Sequence, residues 1–402
     1  MKRNILFFGG GNLPRLRAAA ERRGFDIVLV NYQEMIDRLE PVPSIVHIEG
    51  VDVQNLMATQ RRIVELHRRF DFAGIVPIAE YGLMAAAMAA RAVGLPHVPL
   101  EAVANTRDKV RMRRVLESKG LGQVGFRACR TPDEAARFLD EVGGPIIVKP
   151  LAGTASDGVS RVDRHDQLVQ AWRTAGGARA FGGVICEEYI DGPEVSVEAY
   201  CVDGEFVPVA ITDKMTDARF LEIGHSQPTN LSRAVQDQIF DVTRTLTLAL
   251  GITHGVTHTE MRLTSNGPKL IETHTRMGGG HIPTLTNVST GVDLADVVVA
   301  SAIGEKPAVR PRDTATAAAI RFVTGPAGVI TNIELPKREN GIEDVRCYLN
   351  VGDVTTGRSA SFDRFGHVIV TGRTRDEADA LAENAVTRFR VDIEAVRETV
   401  AA

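Results

Sequence analysis

Apolar and polar positions follow different periods in different parts of the chain, and the periods predict its elements. Over the first hundred positions, "NILFFGG", "DIVLVN", "SIVHI" and "FAGIVPI" are short apolar runs that predict four strands. "LPRLRAAAERRG", "NLMATQRRIVELHRRF" and the stretch through "LMAAAMAA" to about Val93 repeat their apolar residues every three or four positions, which predicts helices. Strands alternating with helices predict a parallel sheet flanked by helices. Gly9, Gly10 and Gly11 follow the first strand, where open α/β sheets present loops to ligands. Their spacing is not the dinucleotide GxGxxG, so a tight turn near a small substrate is expected rather than a nicotinamide cofactor.

The pattern changes from Asn105. A helix is predicted from about Asp108 to Lys119, and Thr131, Pro132 and Glu134 open another with a capping box. "PIIVKP" is a strand that ends in Lys149. Beyond it, period-two runs flank Asp191-Gly192 and Asp203-Gly204, which predicts strands joined by tight turns in mixed or antiparallel sheet. A long helix from about Arg233 to Leu250 leads to "GVTHTEMRLTSNGPKLIETHTR". The last hundred residues carry a helix at "GVDLADVVVASAIG", a strand-rich tail, and a closing helix opened by Thr374 and Glu377. There is no internal repeat, and only a short candidate linker around Lys306 to Arg312.

The segment ending in "LIETHTR" carries the densest chemistry. Asn266-Gly267 is a hairpin signal, and Glu260 and Glu272 are equidistant from Asn266. A hairpin closed there sets the two acids opposite or nearly opposite one another. His258, Glu260 and Arg262 share one face of the first strand, and Glu272, His274 and Arg276 share one face of the second. Adjacent carboxylates repel unless a proton or cation lies between them. A hard divalent ion such as Mg²⁺, bridging phosphate oxygens, suits such a pair. A solvated polar face explains the bare pattern as well, and zinc held by His258, His274 and a glutamate has acceptable ligand chemistry.

Composition narrows these readings. The chain has 402 residues, enough for two to four domains, with 44% hydrophobic and 24% charged residues, as in a soluble globular protein. A net charge of −4 gives no global positive field for nucleic acid or an acidic membrane. The run "RDKVRMRRVLESKG" is a local exception whose plain reading is the solvated face of a helix. Cys129, Cys186, Cys201 and Cys347 have no metal-site spacing and read as free thiols of a reducing compartment. The apolar run in "MKRNILFFGGGN" is too short for a signal peptide or a membrane span, so a cytoplasmic protein is expected.

Upstream, Lys149 precedes "PLAGTASDGV", a loop whose backbone N–H groups and hydroxyls can cradle phosphates beside a lysine point charge. The lysine comes before the glycines, so this is not the GxxxxGK[ST] loop. With Lys109 as a second cation and two acids for Mg²⁺, a nucleoside triphosphate is the economical ligand.

Taken together, these segments in this order resemble the ATP-grasp superfamily, in particular its carboxylate–amine ligases of the L-amino-acid ligase kind. The resemblance covers nearly the whole chain. It implies an α/β and α+β architecture: residues 1–102 as a Rossmann-like parallel-sheet domain, 103–190 as the small ATP-grasp lobe, 191–302 as the large lobe with the Mg²⁺ site, and 303–402 as a strand-rich α+β domain. It implies Lys109 and Lys149 on phosphate, and Gly153, Ser156 and Gly158 in the loop that covers it. Glu187 would lie by the adenine amino group, Glu188, Tyr189 and Ile190 would line the hinge, and Glu194 would bind the ribose. Glu260 and Glu272 match the metal acids, and Arg276 matches the arginine that steadies the transferring phosphoryl group. Lys214, Glu222 and His225 look like ligase residues facing the cleft.

His274 departs from the family's pattern, which usually has asparagine there as an oxygen ligand to the second metal. Contact with phosphate or a metal-bound water, direct ligation, and packing all remain open for it. The resemblance implies ATP-dependent amide formation through an acyl phosphate, with ATP and Mg²⁺ (or Mn²⁺), small carboxylate and amine substrates of amino-acid type, and no nucleic acid or membrane partner. Related ligases are often homodimers. A biotin- or purine-type carboxylating enzyme and a non-catalytic ATP-binding module are the alternatives. Arg262 and Arg321 are candidate clamps for a substrate carboxylate.

Overall fold

The computed structural model describes residues 3–9, 13–151, 157–176, 183–309, 316–339, 341–357 and 363–395. The first region is a parallel sheet ordered Ile45–Gly50, Phe25–Asn31, Arg3–Phe8, Phe72–Pro77. Both faces of the other three strands are buried, which explains their nearly continuous apolar runs, while the edge strand Ile45–Gly50 leaves Val46 and Ile48 exposed. Ile5, Phe7, Ile27 and Leu29 pack into one core with helix Leu13–Arg22 and the distant helix Leu294–Ala302. Leu6, Phe8, Val28 and Val30 pack on the other side with helices Leu56–Phe70 and Leu83–Ala92. The contact with Leu294–Ala302 ties the first sheet to the rest of the chain, and Arg22 and Arg23 reinforce it by pairing with Asp296 at 2.7 and 2.6 Å.

The next unit is a four-stranded antiparallel sheet ordered Phe126–Cys129, Val184–Glu188, Ile146–Pro150, Ser160–Val162, backed by helices Pro132–Val142 and Leu168–Thr174. The Thr131 hydroxyl accepts from Glu134 N–H, as the capping signal predicts, while the Glu134 carboxylate reaches back to Arg130 N–H rather than to Thr131.

The largest sheet has eight antiparallel strands. Their order is Gly267–His274, Gly255–Thr264, Glu194–Val202, Glu205–Thr216, Glu222–Gln227, Ala317–Val323, Gly366–Gly372, Ile342–Cys347. Its last three strands come from the tail, so position 302 does not separate two sheets. A three-stranded sheet, Val354–Thr356, Ala327–Glu334, Arg390–Glu394, completes the tail. Asp203 and Gly204 both have positive φ, 52° and 81°, and close a tight hairpin as predicted. Asp191-Gly192 does not make a hairpin: the strands on either side belong to different sheets, and the dipeptide links the two lobes. All four cysteines are free.

Candidate active site

Alternation in the large sheet puts the polar chemistry on one face. Val195, Val197, Ala199, Met261 and Leu270 point into a core with helices Leu100–Arg107, Lys109–Ser118 and Arg233–Ala249. Glu194, Ser196, Glu198, His258, Glu260, Arg262, Glu272 and His274 take the opposite face. Across the ladder Glu260 faces Glu272 on one side and Ser196 on the other, His258 faces His274 and Glu198, and Arg262 faces Glu194.

The register of the two acids has an unexpected origin. The turn is centred on Ser265 and Asn266, because Thr264 pairs with Gly267. Counting outward from that turn, Glu260 would face Ile271. An irregularity between Glu260 and Met261 inserts one extra residue, Ile271, on the opposing strand and brings Glu272 opposite Glu260. Arg113 holds the irregular segment: its Nη1 donates to Leu270 O at 2.9 Å and its Nη2 to Ile271 O at 3.0 Å. Gln123 accepts from Leu270 N–H at 3.2 Å.

Arg113 lies one turn after Lys109 on helix Lys109–Ser118, and both side chains are buried beside Met112 and Leu116. This half of the basic run is therefore not a solvated face. Lys109 Nζ lies 3.0 Å from Glu272, and Lys149 Nζ 2.6 Å from Glu187. Glu187 also accepts from Arg113 Nε at 2.8 Å. Burial alone would raise the Glu187 carboxyl, but Arg113 and Lys149 outweigh it and hold it at about 2.

Lys214 is deeper still. Its Nζ lies 2.8 Å from Glu194, 2.7 Å from Glu222 and 2.7 Å from Glu260. Desolvation opposes its charge, and the three carboxylates raise it well above the usual lysine range nonetheless. His258 Nε2 meets the same Glu260 oxygen as Lys214, at 3.1 Å, while its Nδ1 lies 2.9 and 3.0 Å from the two oxygens of buried Glu198. Against burial, Glu198 and Glu260 raise His258 to about 9, which favours an imidazolium donating to both acids. Glu260 itself is held at about 2: burial and the Glu272 charge raise it, and Lys214 with His258 outweighs them.

Ten of the predicted residues line one cleft between the lobes: Lys109, Lys149, Glu187, Glu188, Tyr189, Ile190, Glu194, Glu260, Arg262 and Glu272. Ile147, Ile271 and Phe220 give it an apolar wall. The Glu188 and Tyr189 N–H groups bond Gly125 O and Pro145 O, and Arg262 donates to Ile190 O and approaches Glu194 at 3.3 Å. Gly158, at φ 75°, packs where a Cβ would come within 3.0 Å of Pro150. Gly153 and Ser156 lie outside the described residues, as do Gly10 and Gly11.

His274 and Arg276 continue the face beyond this cleft. His274 Nε2 is 3.2 Å from Glu272, and its Nδ1 is 3.3 Å from Glu80, poorly aligned for a hydrogen bond. Burial and Arg276 push the imidazole down, yet the two carboxylates raise it above its ordinary value. Arg276 Nε donates to Glu80 at 2.7 Å. Arg321 pairs with Asp379 and Glu383 of helix Arg375–Thr387 and does not line the nucleotide cleft. Glu198 and Arg113 are the functional neighbours that sequence reasoning missed. The signal for Arg113 was its four-residue spacing from Lys109; Glu198 had only its alternation with Glu194.

Two opposed carboxylates on a buried face fit a hard divalent cation completed by substrate oxygens, with the His258 and His274 nitrogens as their neighbours. Among the described residues, no group of three or more His, Cys, Asp and Glu side chains is arranged to hold a metal by itself. No helix among them is long and apolar enough to cross a membrane.

Sequence comparison agrees with this architecture. Residues 142–284 match the ATP-grasp domain, 17–97 the ATP-grasp N-terminal domain, and 321–394 the L-amino acid ligase C-terminal domain 2. The chain belongs to the ATP-grasp superfamily, among its carboxylate–amine ligases of the L-amino-acid ligase kind. It is similar to the uncharacterized protein y4rH of Sinorhizobium fredii, 28% identical over 348 residues, covering 85% of this chain and 72% of that protein. It is 26% identical over 262 residues to the alanine–anticapsin ligase of Bacillus subtilis, covering 59% of this chain and 55% of the ligase. The chain thus spans about half the length of that relative. The crystal structure of an L-amino acid ligase from Bacillus licheniformis superposes with a TM-score of 0.85 at 22% identity, over 98% of this chain and all of that one, and shows the shared fold.

Proposed function

We propose that the protein couples ATP cleavage to amide formation between a small carboxylate and an amine of amino-acid type, releasing ADP and phosphate. The substrate carboxylate oxygen attacks the γ-phosphorus while the bond to the β-phosphate oxygen breaks, giving an acyl phosphate. The amine nitrogen then attacks the acyl carbon, the bond to phosphate breaks, and the nitrogen loses a proton. Such chemistry asks for alignment and charge neutralisation more than for a protein nucleophile.

The observation that carries this reading is the opposition of Glu260 and Glu272 in a cleft that also holds Lys109 and Lys149. Glu260 and Glu272 would hold Mg²⁺, which would offset phosphate charge and polarise the transferring group. Lys109 and Lys149 are within 3.0 Å of Glu272 and Glu187, and can turn their ammonium groups to an entering polyphosphate. Lys214 and His258 fix Glu260 from behind. Arg276 supplies a cation for the developing oxyanions, and the loop containing Gly158 excludes water from an acyl phosphate that would otherwise hydrolyse.

The test is ADP release over a panel of carboxylate and amine pairs, with the product identified by mass. Substrate-dependent ADP release disappears in Lys149→Ala and Glu272→Ala while cooperative unfolding is retained. Unchanged ADP production in either folded variant overturns the assignment.

A further inference from the structure

A second cavity shares no lining residue with the nucleotide cleft. It lies where the parallel sheet and the eight-stranded sheet meet, and Arg276 forms part of its wall. The end of strand Phe72–Pro77 and helix Leu83–Ala92 close one side, and helix Leu294–Ala302 closes the other. Ala86, Ala87 and Ala90 face it from the first helix and Val298 and Ala302 from the second, so small side chains leave the space.

Two polar atoms break the apolar lining. Thr275 Oγ1 and Ser301 Oγ are buried without a hydrogen-bond partner, on residues only 4% and 5% exposed. Buried hydroxyls are normally satisfied, and an apolar chamber with a few polar groups is the form of a small-molecule site. Arg276 lines the cavity and pairs with Glu80 at 2.7 Å, which brings one positive and one negative group together there. That pair complements the α-carboxylate and α-ammonium of one amino acid.

Resting on the ligase reading, we infer that this cavity receives the apolar side chain of the amino acid whose carboxylate is phosphorylated. Its carboxylate lies at Arg276, its ammonium group at Glu80, and a side chain of about leucine size fills the space beside Ala87. The protein then selects apolar amino acids as carboxylate donors, since one added methylene in such a pocket changes discrimination by about tenfold or more.

The experiment compares leucine and glycine as donors with a fixed amine, in the wild-type chain and in Ala87→Leu. Wild type favours leucine over glycine in kcat/KM by about tenfold or more, and in Ala87→Leu the leucine-to-glycine ratio of kcat/KM falls to about one or below. A folded Ala87→Leu that retains the leucine preference overturns the inference, as does a wild type that prefers glycine or a charged donor. Should Ala87→Leu fail to fold, Val298→Phe enters the same space from the other helix and is read the same way. If no donor and amine release ADP, the ligase reading falls separately. Calorimetric leucine binding to wild type then decides the cavity: binding lost in the filled variant supports it, and no binding overturns it.

Discussion

Glu260 and Glu272 stand directly opposite each other across two antiparallel strands, and each is held by a different buried lysine, Lys214 and Lys109. Two charges at that separation in a buried site repel strongly unless cations neutralise them. The arrangement predicts that charge, more than shape, is what the pair contributes. Glu260→Gln and Glu272→Gln are expected to fold, to lower ADP release by more than about 100-fold, and to raise the Mg²⁺ concentration for half-maximal rate. A magnesium titration of each variant checks this, and an unchanged half-maximal concentration contradicts it.

Arg113 joins the two halves of the site with one guanidinium. Its three nitrogens reach Glu187, Leu270 O and Ile271 O, so it fixes the acid behind Lys149 and the extra residue that sets the Glu260–Glu272 register. A lysine has no planar fork and cannot satisfy all three. Arg113→Lys is expected to lose about 2–4 kcal/mol of stability in urea unfolding, because buried carbonyls and part of a buried charge lose their partners. ADP release is expected to fall as well. A variant of wild-type stability with wild-type turnover contradicts the role.

The sequence was most legible where one period ran undisturbed. The parallel strands and their helices were readable because most of the sheet is apolar on both faces, and His258, Glu260 and Arg262 because alternation runs unbroken along their own strand. The basic helix misled because Lys109 and Arg113 are neutralised by Glu272 and Glu187, which lie far along the chain. The turn at Asp191-Gly192 misled because a local signal cannot report that its flanking strands enter different sheets. The opposition of Glu260 and Glu272 was expected from a turn placed half a residue off, and the extra Ile271 that compensates depends on the distant contacts of Arg113 and Gln123.

Acid stability follows from Glu187. Its carboxyl is held at about 2 against an ordinary value of 4.5, although burial acts in the opposite direction. A depressed folded-state value contributes stability that is full above the unfolded value and is lost as pH falls through the folded one. The Glu187 contribution, on the order of 3 kcal/mol, is therefore present at neutral pH and declines between about 4.5 and 2. Glu187→Gln is expected to be less stable than wild type at pH 7, with the gap narrowing below pH 4.5. Denaturant unfolding of both proteins across pH checks this, and a gap that stays constant contradicts it.

His274 lies between Glu272 and Glu80, at 3.2 and 3.3 Å, with its value raised by both acids. In that position a protonated imidazole competes with a divalent cation for the Glu272 carboxylate. Imidazole is also a softer ligand than the oxygen donors Mg²⁺ favours. Replacing it with asparagine removes the competing charge and supplies an oxygen. His274→Asn is thus expected to lower the Mg²⁺ concentration for half-maximal ADP release by roughly fivefold, since two unit charges about 4 Å apart in a water-like dielectric interact by about 1 kcal/mol. The ratio of Mn²⁺- to Mg²⁺-supported rates separates the roles. A competing cation leaves that ratio unchanged, whereas a direct nitrogen ligand gives a Mn²⁺ preference that vanishes in the variant, together with a higher metal requirement.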